Sequence, residues 1–184
     1  MNNKVKGKYM TVSKNRQMQG TIKKFNKQEH SMFDDKAKKV WLDYLNNVRY
    51  KDKNIKTIEN PNIHGIDLIS LNADGKVCFA WELEVRAGNW KGNVSFPFNS
   101  INCIERKDYQ WRKDKEFIEK LAPFELADDC LVLYVQFNDL CNRAVVIEGD
   151  VILKQKLIPW SNRYVQNGEF VRQVPIRLTK EIIL

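Results

Sequence analysis

Gly65-Ile66-Asp67-Leu68-Ile69-Ser70-Leu71, then Asn72-Ala73-Asp74-Gly75, then Lys76-Val77-Cys78-Phe79-Ala80-Trp81-Glu82-Leu83-Glu84-Val85-Arg86, is the stretch whose reading decides the fold. Two apolar-rich segments, 66–71 and 76–86, flank an Asp-Gly turn, the pattern of a β-hairpin. Side chains alternate across a strand, so Val77, Phe79, Trp81, Leu83 and Val85 share one face, and Cys78, Ala80, Glu82, Glu84 and Arg86 the other. A hairpin brings Asp67 opposite Glu82 and Glu84. Carboxylates gathered this closely repel one another unless a cation or proton intervenes. A hard divalent ion with oxygen ligands, Mg²⁺ first and Mn²⁺ as its substitute, is the economical explanation. The competing reading is a solvated strand face, its acids paired with Lys76 or Arg86.

Working outward, Phe33, Ala37, Val40, Trp41, Tyr44, Leu45 and Val48 fall at helical spacing between Ser31 and Arg49. Ser31 caps the predicted start, and Asp34, Asp35 and Arg49 suit the helix dipole. A polar turn at Lys51 to Asn54, a short strand at Ile55 to Glu59 and the breaker Asn60-Pro61-Asn62 lead to the hairpin. Beyond it, residues 89–102 read as loop, with Gly92 and Pro97. Residues 105–121 read as one charged helix stopped before Pro123. Cys130 to Phe137 and Ala144 to Glu148 read as strands, with strand-like pieces near Val151 to Leu153 and Val171 to Leu178. No internal repeat occurs.

The chain has 184 residues, enough for one domain and an appendage. Of its 31 Lys and Arg, eight lie in residues 1–27, which hold no acid, so residues 28–184 balance 23 cations against 23 acids. The division is therefore a basic, flexible arm at 1–27 and a single domain at 28–184. The arm's Lys4, Lys6, Lys8, Lys14, Arg16, Lys23, Lys24 and Lys27 suit phosphate contacts by counterion release. A merely solubilising end is the plainer reading, and attachment to an anionic membrane is disfavoured because the arm lacks an apolar face or lipidation signal. No apolar run reaches bilayer length and no secretory signal opens the chain, so a cytoplasmic protein without membrane attachment is expected. Cys78, Cys103, Cys130 and Cys141 are widely spaced, which argues against structural zinc and a disulfide framework.

The order helix, short strand, hairpin, helix, strand, together with Gly65-Ile66-Asp67-Leu68-Ile69 and Trp81-Glu82-Leu83-Glu84-Val85, resembles the PD-(D/E)xK nuclease superfamily, in particular its restriction-enzyme and junction-resolvase members. The resemblance spans roughly residues 29 to 137, and its motifs are short. It implies an α/β (α+β) fold: a restriction-endonuclease-like core with a central mixed β-sheet flanked by helices. It further implies that Asp67 and Glu82 bind metal. Glu84 departs from the pattern, standing where most members carry lysine, and in this frame it accepts the proton of the attacking water. The other frame, Glu84-Val85-Arg86, substitutes arginine, whose pKa is too high for a general base.

The implied reaction is metal-dependent phosphodiester hydrolysis by an endonuclease acting on DNA. A homodimer is expected by family analogy alone. Arg106, Lys107, Arg112 and Lys113 could clamp phosphates. Lys107 is the first choice to replace the missing lysine, against a solvated helix face balanced by Glu105, Asp108, Asp114 and Glu116. Arg86, Lys91 and Arg106 join the arm as candidate nucleic-acid contacts. Glu29 or Glu59 could add a ligand, and His64 could meet phosphate, although each also reads as an ordinary polar residue. Trp90, Phe96 and Phe98 either stack on unpaired bases or cap the core, the second reading being favoured.

Two other classes compete. A catalytically inactive nuclease-fold module would bind nucleic acid without cleaving it, and a structural or inhibitory protein-binding protein would bind nucleic acid weakly and without salt dependence. The chain carries no Walker P-loop, G-x-S-x-G elbow, dinucleotide fingerprint or H-E-x-x-H.

Overall fold

The structure is a computed structural model that describes residues 27–160 and 169–184. The arm's Lys4, Lys6, Lys8, Lys14, Arg16, Lys23 and Lys24 lie outside the described residues. Lys27 opens the first helix. In chain order the elements are α1 (Lys27–Tyr44), a π-helical turn (Leu45–Arg49), β1 (Lys56–Glu59), β2 (Leu68–Leu71), β3 (Val77–Val85), β4 (Ser100–Ile104), a 3-10 turn (Glu105–Lys107), α2 (Asp108–Arg112) and α3 (Lys115–Glu119). There follow β5 (Leu126–Phe137), β6 (Arg143–Glu148), α4 (Gly149–Leu153), β7 (Leu157–Trp160), β8 (Glu169–Pro175), a 3-10 turn (Ile176–Leu178) and β9 (Lys180–Ile183).

The fold is mixed α/β, as expected. One six-stranded mixed sheet has the order β1-β2-β3-β5-β6-β9, and a second sheet has the order β4-β8-β7. β1, β2 and β3 form an antiparallel meander, whereas β5 runs parallel to β3. Parallel neighbours require a crossover. Here it carries β4, the 3-10 turn, α2 and α3, and it delivers residues 105–110 above the acidic face of β3.

Each face of the central sheet has its own core. On one, Ala37, Trp41 and Leu45 of the helical segment bury against Trp81, Leu83, Val135 and Phe137. Trp41 sets its ring edge-on to Trp81 at 5.7 Å and to Phe137 at 5.5 Å, the arrangement aromatic quadrupoles favour. The other face packs Ile69, Ala80, Val132 and Tyr134 against Trp111, Phe117 and the second sheet's Ile101 and Val174.

Several expectations change. The helix is already under way before Ser31, so Ser31 is not its N-cap. Strand alternation holds from Phe79 to Val85, but a register shift between Val77 and Phe79 turns Val77 toward the second core beside Ala80. The expected helix over 105–121 is broken. Lys113 adopts φ 53°, and the Asp114 side chain accepts the N–H groups of Glu116 and Phe117, starting a new helix. Local capping wins over continuation, and both Trp111 and Phe117 reach the core.

Residues 100–102, read as the end of a loop, belong to β4, because β8 supplies a partner about 70 residues away in sequence. The strand expected near Val151 to Leu153 is α4, for β6 ends at Glu148 and the chain turns there. A Cβ on Gly149 would come within 3.3 Å of Trp111 and 3.2 Å of the Val132 carbonyl, a tight contact that glycine avoids. Among the described residues no helix is long and apolar enough to cross a membrane, and Cys78, Cys103, Cys130 and Cys141 are all free thiols.

Candidate active site

The loop before β2 is pinned by its own polar groups. Asn60 donates its backbone N–H to the Asp67 carbonyl (3.0 Å), and its amide reaches the Lys120 carbonyl (3.3 Å). A Cβ on Gly65 would lie 2.5 Å from the Asn60 amide nitrogen and 3.0 Å from the Lys120 carbonyl, which explains glycine ahead of Ile66-Asp67. Leu68 pairs with Trp81, so Asp67 arrives at the level of Glu82. Asp67 Oδ2 accepts the Leu83 backbone N–H at 2.8 Å, and Oδ1 lies 3.0 Å from Lys38 Nζ of α1. Burial by itself would depress the Lys38 ammonium, but Asp67 outweighs it and the pKa rises.

Glu82 is buried, with 6% of its surface exposed. Its Oε1 accepts from the Lys107 ammonium and its Oε2 from Gln110 Nε2 at 3.0 Å. Burial and, less strongly, the Asp67 charge push the Glu82 carboxyl up, with Lys107 and Gln110 opposing them. Burial would lower Lys107, yet Glu82 and Glu84 override it and hold the ammonium charged. Gln110 Oε1 is buried without a hydrogen-bond partner. An unpaired buried oxygen is costly; it sits on the other arm of the amide that donates to Glu82, and the indole N–H groups of Trp41 and Trp111 are likewise buried without partners.

Glu84 and Arg86 continue along the same face, above Tyr134 and Gln136 of β5. Tyr134 donates its hydroxyl to Glu84 Oε2 at 2.7 Å, and Arg86 Nε lies 3.8 Å from Oε1. Complete burial, then the neighbouring Glu84 charge, push the Tyr134 phenol well up, so it remains a donor. With the Gln136 amide turned to satisfy its neighbours, its oxygen accepts from Arg86 Nε at 2.8 Å. A buried ion pair supports the turn that carries Lys107: Arg172 of β8 donates to Asp108 Oδ1 (3.0 Å) and Oδ2 (2.7 Å).

Among the described residues no group of three or more His, Cys, Asp or Glu side chains is placed to hold a metal, so Asp67, Glu82 and Glu84 do not form a three-carboxylate cluster. Two facing carboxylates nonetheless suit Mg²⁺, which usually takes one or two carboxylates and completes its shell with water and substrate phosphate. Their hard oxygens suit such an ion in kind, each one being engaged here by Leu83 N–H, Lys38, Lys107 or Gln110.

The other candidates are dispersed. Lys76 lies 3.8 Å from Glu125, not against the motif acids. Arg112 is committed to Asp108 (3.1 Å), and Lys113 to the Cys130 carbonyl (3.0 Å). Arg106 is exposed, 3.8 Å from Glu169, and Lys91 and His64 are exposed in loops. Glu59 is exposed at the end of β1, and the Glu29 side chain lies outside the described residues. Trp90 is fully buried and Phe96 packs edge-on to it at 5.1 Å, so these two cap the core, while Phe98 is 43% exposed. A cavity of about 590 Å³ lies on the α1 side of the sheet among Trp41, Tyr50, Phe79 and Trp81, and Glu148 is the single carboxylate among the described residues lining it. It is the wrong face for the motif acids.

Sequence reading missed Lys38, Gln110, Tyr134 and the Asp108–Arg172 pair. Gln110 had a legible signal, lying three residues after Lys107 and therefore on the same side of a helical turn. Tyr134 and Gln136 are alternate polar positions in the otherwise apolar stretch Cys130 to Phe137 of β5, a pattern that marks a buried polar face. Nothing local links Arg172 to Asp108.

No protein-family model and no curated protein matches the chain. Among solved structures, D212, a nuclease from a fusselovirus, superposes with a TM-score of 0.44 and 10% sequence identity, covering 88% of this chain and 90% of that one. A likeness this distant carries no argument, and the functional reading rests on the site's own geometry.

Proposed function

We propose that the protein is a divalent-metal-dependent nuclease that hydrolyses phosphodiester bonds in DNA, with Asp67 and Glu82 as metal ligands. The observation that carries this reading is the pair of carboxylates from facing strands, one of them buried against Lys107 and beside an unpaired amide oxygen. A surface acid gains little from burial, and a buried carboxylate is costly to keep. A metal ligand must be kept despite that cost.

Asp67 and Glu82 would hold Mg²⁺ or Mn²⁺, which supplies Lewis acidity toward a phosphate oxygen and lowers the pKa of a coordinated water. The chain's own groups divide the remaining work. Lys107, held charged, offers a cation to the phosphate and stands in, from the crossover, for the lysine that the resembling family carries at the position of Glu84. Glu84, oriented by the Tyr134 hydroxyl, accepts the proton of the attacking water. Gln110 holds Glu82 in its rotamer. Arg86, Lys91, Arg106 and the basic arm are candidate phosphate contacts, and a cytoplasmic homodimer remains the expected form.

A second reading has its own support. Glu82 is already neutralised by Lys107 and Glu84 is already engaged by Tyr134, as in an inactive nuclease-fold module that only binds nucleic acid. Incubation with plasmid, branched DNA and RNA in Mg²⁺, Mn²⁺ or EDTA, beside Asp67→Asn and Glu82→Gln, separates the two. Metal-dependent cleavage lost in both variants supports the nuclease. Tight binding without cleavage under any condition favours the module, and cleavage surviving both substitutions removes the proposed site.

A further inference from the structure

Next to the carboxylates, at the Arg86 end of β3, is a cavity of about 320 Å³ where the central sheet meets β4, β7 and β8. Its lining includes Arg86, Gln136, Asn102, Gln173, Phe98 and Trp160, and among the described residues that line it there is no acid. The volume is at the lower end for a small-ligand pocket and too small for a duplex. The amides of Asn102 and Gln173 lie 3.4 Å apart, offering donors and acceptors side by side. Phe98 is 43% exposed, yet it is backed edge-on by Phe96 at 5.4 Å, which packs in turn on the buried Trp90. An exposed ring on a rigid aromatic support is a stacking platform.

We infer that this cavity receives a single unpaired nucleobase of the substrate strand, so that the enzyme prefers DNA with an unpaired nucleotide beside the scissile phosphate. Aromatic faces stack on any base, amides read its Watson–Crick edge, and an arginine plane meets base or phosphate. Arg86 stands two residues beyond Glu84 on one strand, about 7 Å. A base held there keeps its backbone next to Glu82 and Glu84. A base within a duplex would first have to be unpaired, at a cost of a few kcal/mol, which is the source of the preference. The choice of ligand rests on the nuclease reading.

The test uses the full chain and a single-stranded oligonucleotide carrying one 2-aminopurine, followed by fluorescence in EDTA, where no cleavage intervenes. The expected result is quenching on binding, weakened about 10-fold or more by Phe98→Ala and also weakened by Gln173→Ala. An oligonucleotide abasic at that position should bind wild type and Phe98→Ala alike. In parallel, cleavage in Mg²⁺ should favour a flap or single strand over blunt duplex, and Phe98→Ala should lower cleavage of the flap and single strand about 10-fold or more. Quenching that depends on Phe98 without cleavage of any substrate would keep the pocket and remove the nuclease. Metal-dependent cleavage indifferent to pairing and to both substitutions would keep the nuclease and overturn the pocket. Because Phe98 and Gln173 are both exposed, neither substitution empties the core.

Discussion

The two faces of β3 carry nearly the same strand geometry and opposite chemistry. Toward α1, Trp81 and Leu83 meet Trp41, Leu45 and Phe137 in a dry aromatic core, and the Trp81 indole N–H is satisfied by Ser70 Oγ at 2.9 Å. Toward the crossover, Glu82 and Glu84 meet Lys107, Gln110 and Tyr134, with an amide oxygen left over. The first face is apolar, although the Trp41 indole N–H is left without a partner and a cavity of about 590 Å³ opens beside Trp41 and Trp81. The second is held together by charges that each cost desolvation.

The sharpest way to break this contrast is to neutralise the second face without emptying space. Asp67→Asn and Glu82→Gln should each lower metal-dependent cleavage on the order of 10²–10³-fold, read as initial rates with folding checked by circular dichroism. Retained rates would make the acids structural.

Trp81→Ala attacks the dry face. Loss of a buried tryptophan should cost about 3–5 kcal/mol in urea unfolding, while cleavage by the remaining folded fraction changes little. A large rate defect at unchanged stability would show that the faces do not divide labour as described.

Lys107→Met removes the partner of a buried carboxylate. Breaking a fully buried pair costs about 3–5 kcal/mol, but the Lys107 side chain is 26% exposed, so solvent screening reduces the expected loss to about 1–2 kcal/mol. Millimolar Mg²⁺ should restore thermal stability more in this variant than in wild type, because the ion replaces the lost cation. Equal shifts would argue against a metal at Glu82.

The smallest effect concerns pH. Glu82 has a folded-state pKa above its unfolded value, so its stabilising contribution is complete below the unfolded pKa and is lost as pH rises through the folded one. The stability difference between wild type and Glu82→Gln should therefore move against wild type as pH rises from about 4 toward neutrality. An opposite slope in paired denaturation curves would contradict the burial argument.

Legibility in the sequence followed the range of the interactions. The helix carrying Trp41, the β2–β3 hairpin and the face shared by Glu82 and Glu84 were readable, because period 3.6, period 2 and Asp-Gly turn chemistry are local. The break at Lys113 and Asp114 was harder, since capping and a continuous helix compete within one turn. β4 was invisible because its partner β8 lies beyond two further strands of the central sheet. The bulge that turns Val77 inward depends on pairing with two neighbours at once.

For the site, the sequence alone determined which acids share a strand face and that Asp67 lies opposite them, because alternation and hairpin pairing leave little choice. Only the tertiary structure decided what those acids meet. The parallel crossover brings Lys107 and Gln110 onto Glu82, the β5 register sets Tyr134 and Gln136 beside Glu84 and Arg86, and a buried Asp108–Arg172 pair fixes the turn between them. These contacts span 25 to 64 residues of chain, where no local periodicity acts and the burial of one face against another sets the outcome.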